Sequence, residues 1–150
     1  ARLFALLWDA GLPASHAAIA RLVPHQGAMC LLDRVAACDA ARIACVTATH
    51  RDPAHPLRRD GMLPAVCGLE YALQAMALHG ALTAGAAQGV GFLAALSGVV
   101  MATERLDDVA GELRIDATAL ARESRGFIYG FEITGGGRAL MSGRATVVLA

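Results

Sequence analysis

The chain contains no lysine; all 13 of its basic residues are arginine, and 13 acidic residues balance them to a formal net charge of zero. We read the missing lysine as the coding bias of a GC-rich bacterial genome rather than as chemistry. A neutral chain without a basic stripe lacks the electrostatic footprint of a nucleic-acid binder. Charge is scarce as well, at 17% of residues against 56% hydrophobic. Even so, no apolar run is long enough to span a membrane, because Arg, Asp, His, Glu or Gln interrupts each one. The apolar run within Arg2–Trp8 is too short for a signal-peptide core, and Asp9 and Gly11 break it. Cysteines are few (Cys30, Cys38, Cys45 and Cys67), with no C-x-x-C and no Cys/His spacing of the zinc type. They read as buried, reduced thiols of a cytoplasmic protein. Repeats, low-complexity tracts and linkers are absent. Gly89-Val90-Gly91 lacks the strand-to-helix context of a dinucleotide site.

What is present is apolar excess. A chain of 150 residues reads as one domain, 1–150, that gains from oligomerisation. The surplus of hydrophobic residues calls for a subunit interface or an internal tunnel for a lipid-like ligand. Ser15 is placed to cap a short helix over 16–23 that Pro24 stops. Two β-like runs follow, over 29–37 and 42–49, and then a polar loop over 50–61 rich in Pro and charge. A helix spans 64–83 and ends in the Gly-rich stretch 85–91. Strands then occupy 92–102, 111–121, 127–134 and 140–149, with a glycine turn at 135–137 joining the last two. In the second of these strands Leu113, Ile115 and Ala117 alternate with Arg114, Asp116 and Thr118, the period of a half-buried strand. Strands around one buried helix make an α+β fold.

The 64–83 helix carries the chemistry. It is apolar around most of its circumference and therefore buried, yet it holds Glu70 and Gln74 four residues apart. Burying an unpaired carboxylate costs several kcal/mol or forces it to take up a proton. Such a residue is paired or used. Pro64 suits a first helical turn, whose free backbone N–H groups, those of Ala65 and Val66, lie near the carboxyl.

Two blocks resemble a known family. Pro64, with Glu70 and Gln74 behind it, is similar to the central helix of the hot-dog-fold 3-hydroxyacyl-ACP dehydratases. Val23-Pro24-His25-Gln26-Gly27-Ala28-Met29-Cys30-Leu31-Leu32-Asp33-Arg34-Val35 resembles that family's opening block. Pro-His-Gln-Gly-Ala-Met together with Gly-Leu-Glu-Tyr-Ala-Leu-Gln-Ala-Met-Ala looks closest to the dehydratase-like proteins of aryl polyene pigment clusters. The resemblance implies a hot-dog fold, an antiparallel sheet wrapped around one long helix. It also implies a homodimer or larger assembly, an acyl carrier protein whose phosphopantetheine arm brings the substrate, and no metal or redox cofactor. The implied reaction is dehydration of a 3-hydroxyacyl thioester to the trans-2-enoyl product.

Within that reaction Glu70 is the expected acid, protonating the leaving hydroxide. Its other reading is a structural carboxylate paired with an arginine. The base is open. The family's histidine stands fourteen residues before the acid, where this chain has Pro56; His55 is one place earlier, without the flanking Gly and Phe. His25, in the better-matching block, is placed first, His55 second and His50 third, while His16 and His79 read as solvated or packed. The N–H groups of Ala65 and Val66 are candidates to polarise the thioester carbonyl, and Gln74 to hold the Glu70 carboxyl. Arg51, Arg58 and Arg59 form a small basic patch suited to an acidic carrier protein. Two other readings stay open: a catalytically silent hot-dog subunit partnering an active dehydratase, and a hot-dog acyl thioesterase.

Overall fold

Alternation builds the sheet. In a computed structural model, which describes residues 12–23, 29–84 and 91–149, Leu113, Ile115 and Ala117 are fully buried. Arg114 and Thr118 on the same strand face solvent. The elements in chain order are helix α1 (His16–Ala20), strands β1 (Arg34–Cys38) and β2 (Arg42–Thr47), helix α2 (Gly68–Ala84), and strands β3 (Gly91–Met101), β4 (Leu113–Glu123), β5 (Gly126–Gly135) and β6 (Arg138–Leu149). The six strands form one sheet in the order β1-β2-β4-β5-β6-β3, and every neighbouring pair is antiparallel. Helix α2 packs across β4, β2 and β5. This is the expected α+β hot-dog arrangement.

Local chemistry explains most boundaries. Ser15 caps α1, its Oγ accepting from the Ala18 N–H at 3.1 Å. The β1–β2 turn is held by Asp39, whose Oδ1 accepts from both Ala41 and Arg42 N–H at 2.8 Å. Gly136 and Gly137 join β5 to β6 with φ of 58° and 76°. Two consecutive positive φ values match the turn twist that a hairpin requires, and glycine adopts them without a steric penalty.

Two expectations change. The run from residue 29 becomes a strand only at Arg34, because backbone groups of Met29 and Leu31 bond to side chains instead of a ladder. The long helix starts at Gly68 rather than Pro64, after a 3-10 turn over Ala65–Cys67. Ahead of it, Pro64 bridges to Arg105, and the Ala65 N–H donates to Glu104 O at 3.0 Å. Pro64 is itself extended, with φ of −58° and ψ of 146°, so it precedes the turn rather than belonging to it. The expected Gly-rich stretch falls largely outside the described residues.

Helix α2 is wrapped nearly all round, with Tyr71, Ala72, Gln74, Ala75, Leu78 and His79 all at 0% exposure. Strand β3 is the opposite case. Among the described residues it pairs only with β6, and it exposes Phe92 (58%), Val100 (59%) and Met101 (51%) as well as Leu93, Leu96 and Val99.

Candidate active site

Glu70 lies half-buried in the first turn of α2, one helical turn after the 3-10 segment that carries Val66. Gln74 stands one turn further along and is completely buried. Its Oε1 accepts from Leu31 N–H at 2.8 Å, while its Nε2 donates to Met29 O at 2.6 Å and to Glu70 Oε1 at 3.4 Å. A backbone N–H can only donate and a carbonyl can only accept, so these two partners permit one orientation of the amide. In that orientation the NH2 end faces the Glu70 carboxyl. The sequence expectation that Gln74 holds Glu70 thus has a geometric basis.

The two backbone donors have separate fates. The N–H of Ala65 is not free, being spent on Glu104 O. Val66 is 57% exposed, and its N–H has no partner among the described residues. Asp107 secures the approach to this turn, with Oδ1 accepting from Leu63 N–H at 2.8 Å. The guanidinium of Arg105 contacts the same carboxylate and, with the Leu63 N–H, holds Asp107 far below the usual carboxylate range.

The loop over 50–61 is largely exposed but turns both of its histidines inward. His50 is 0% exposed and His55 5%. The ring of His50 donates from Nε2 to Val109 O at 3.0 Å. His55 accepts the Leu57 N–H at Nδ1 (3.1 Å) and meets Tyr71 Oη through Nε2 (3.1 Å). Burial, and then the positive charge of Arg58, lower its pKa below 6.5. Arg58 is bound into the loop by bonds to Gly61 O and His50 O, so only Arg51 and Arg59 of the expected basic patch face solvent. His55 also lines a cleft of about 310 Å3 together with His16, Cys30, Thr49 and Asp52. His16 donates to Cys30 O. His25 lies outside the described residues.

The structure therefore pairs Gln74 with Glu70, and Val66 stands in the 3-10 turn four residues before Glu70. His55 joins them only through intervening residues that sequence reasoning passed over: Tyr71, Thr49 and the backbone of Leu31. The one available signal was Tyr71, a polar-tipped ring beside Glu70 on a buried helix. Among the described residues no cluster of His, Cys, Asp and Glu could hold a metal ion.

A model of the ApeP-like family, described as ApeP dehydratase, matches residues 17–150. The chain belongs to this family. It is thus of dehydratase lineage, as its two sequence blocks suggested. Among solved structures it is similar to the dehydratase heterocomplex ApeI:P from Xenorhabdus doucetiae, with 22% identity, a TM-score of 0.77, and coverage of 88% of this chain and 90% of that one. A mutant thioesterase from Pseudomonas aeruginosa matches with 15% identity and a TM-score of 0.54, covering 78% of this chain and 81% of that one. Thioesterase superfamily member 2 from Mus musculus gives 13% identity and a TM-score of 0.57, over 77% and 80%. At such identities the solved structures establish the shared fold. No curated protein matches the chain.

Proposed function

We infer that this chain dehydrates a 3-hydroxyacyl thioester delivered on the phosphopantetheine arm of an acyl carrier protein. The observation that carries this reading is the fixed Gln74 amide, whose NH2 end bonds the half-buried Glu70 carboxyl. In the reaction a base removes the C2 proton while the Val66 N–H bonds the thioester oxygen and stabilises the enolate. The C2=C3 bond forms as the C3–O bond breaks. Glu70 gives its proton to the departing oxygen, so that water leaves rather than hydroxide. We assign the base to His25, by elimination among the histidines. His79 is bonded at both ring nitrogens, and His55 likewise. His50 is shut away from solvent, and His16 points its Nε2 at Cys30 O.

The exposed apolar edge of β3 supports assembly with a second hot-dog subunit. The similar ApeI:P structure is a heterocomplex, which favours a different chain as that partner. A silent-subunit reading draws on one specific observation: every buried ring among the described histidines is satisfied or sealed. The experiment is turnover of short, medium and aromatic 3-hydroxyacyl-ACP, followed by appearance of the enoyl product. Product from the chain alone supports the dehydratase. Product only after addition of a second hot-dog protein, unchanged by Glu70→Gln, assigns it the silent role. For Glu70→Gln in an active chain, the loss should be about two orders of magnitude or more in kcat with the fold intact.

A further inference from the structure

His55 of the 50–61 loop has a part in the site that its hydrogen bonds decide. An amide N–H can bond only to a lone pair, so the Leu57 N–H at His55 Nδ1 leaves the proton of the neutral ring on Nε2. That Nε2–H donates to Tyr71 Oη. The Tyr71 proton then passes to Thr49 Oγ1 at 2.8 Å, and Thr49 donates to Leu31 O at 2.8 Å. Thr47 donates to the same carbonyl at 2.6 Å. On the other side of that residue, the Leu31 N–H sets the Gln74 amide, and Gln74 faces Glu70. Every proton in the chain from His55 to Leu31 points one way. His55, Tyr71, Thr47 and Gln74 are all at 5% exposure or less, so a broken link would leave a buried polar group without a partner.

We propose that Tyr71 and Thr49 are positioning residues that, with His55 as the donor end of the chain, hold the 29–31 segment against Gln74 and so orient Glu70. His55 serves as a hydrogen-bond donor and not as the base. The inference deepens the dehydratase reading and rests on it for its kinetic arm, while its spectroscopic arm does not. Groups around the ring agree. Burial and Arg58 oppose a charge on it, with Asp52 alone pulling the other way from the same loop and His50 adding to the opposition. A second proton on Nδ1 would also face the Leu57 N–H head-on.

The test uses the full chain in whatever assembly it forms. Long-range proton–nitrogen correlation spectra of the wild type should show His55 neutral at pH 7 with its proton on Nε2. An Nδ1–H tautomer would overturn the proposal whether or not turnover is found. His55→Gln can still donate to Tyr71 but cannot take up a proton; it should keep kcat/KM within about tenfold of wild type, whereas a true base would lose about a hundredfold or more. Tyr71→Phe and Thr49→Val should each lower kcat by about tenfold and move the limb of the pH profile that belongs to Glu70. A folded His55→Gln variant that is inactive, or a pH profile unmoved in both other variants, counts against the role assigned here. Should the wild type itself be inactive, the dehydration reading falls and the His55 tautomer alone decides the hydrogen-bond assignment.

Discussion

The hydroxyl of Tyr129 donates to Nδ1 of His79 at 2.7 Å, with the two rings nearly perpendicular at 88°. Because His79 Nε2 donates to Asp39 O at 2.9 Å, one buried ring ties the far end of α2 to both β5 and the β1–β2 turn. The pair sits well away from Glu70 along the helix, so its contribution is to stability.

Tyr129→Phe removes the proton that His79 accepts and leaves a buried lone pair unpaired. The cost should be about 1–2 kcal/mol, which for a chain of this size lowers Tm by about 2–8 °C. Calorimetry on the variant checks it, and turnover per folded molecule should not change. Burial lowers the pKa of His79 below 6.5, as it does for His50 and His55. The unfolded chain therefore binds more protons than the folded one below that value. Stability is full above about pH 6.5 and falls as pH drops. His79→Gln should lose less stability than wild type between pH 7 and pH 5 in denaturant titrations.

Much of this was legible in the chain because it is local. The alternation of Leu113, Ile115 and Ala117 reports a face, and the three glycines at 135–137 report a turn. Glu70 and Gln74 stand out because two polar residues interrupt an apolar helix. What escaped was non-local. Nothing near Ala65 shows that its N–H meets Glu104, so it read as a free donor. His50 and His55 sit in a stretch of prolines and charges that reads as solvated, yet Val109 O and Tyr71 Oη, distant in sequence, draw both rings inward.

Asp107 offers a test of the approach to the candidate site. Its carboxylate accepts the Leu63 N–H, and Leu63 is fully buried. Asp107→Ala should strand that donor and cost about 1–3 kcal/mol. If the Val66 N–H polarises the thioester, kcat/KM should also fall, because the turn that aims it is anchored here. The folded pKa of Asp107 is depressed below 3.8. Its contribution is therefore complete above about pH 4 and is lost as pH falls toward the folded value. Asp107→Asn should flatten that acid limb in urea titrations at pH 2–5.

Strand β3 supplies the last prediction. Successive side chains on a strand point to opposite faces, and here both faces are exposed: by their β6 partners Val148 and Ser142, Phe92 and Val100 lie on one, and by Val147, Ala145 and Met141, Leu93, Leu96 and Met101 lie on the other. A long apolar edge of this kind, with no strand beyond it among the described residues, invites another strand. The opposite edge, β1, is only five residues long, and Arg34 on it pairs with Glu112 at 3.3 Å. Assembly should therefore run through β3. Leu96→Arg and Val100→Arg should each convert the assembled species to single chains in light scattering at micromolar concentration, with circular dichroism unchanged. Met62→Arg, at another exposed apolar position (42%) outside the sheet, should leave the assembly intact. A wild type that scatters as a clean monomer, alone and mixed with a second hot-dog subunit, would remove assembly from the account of the site.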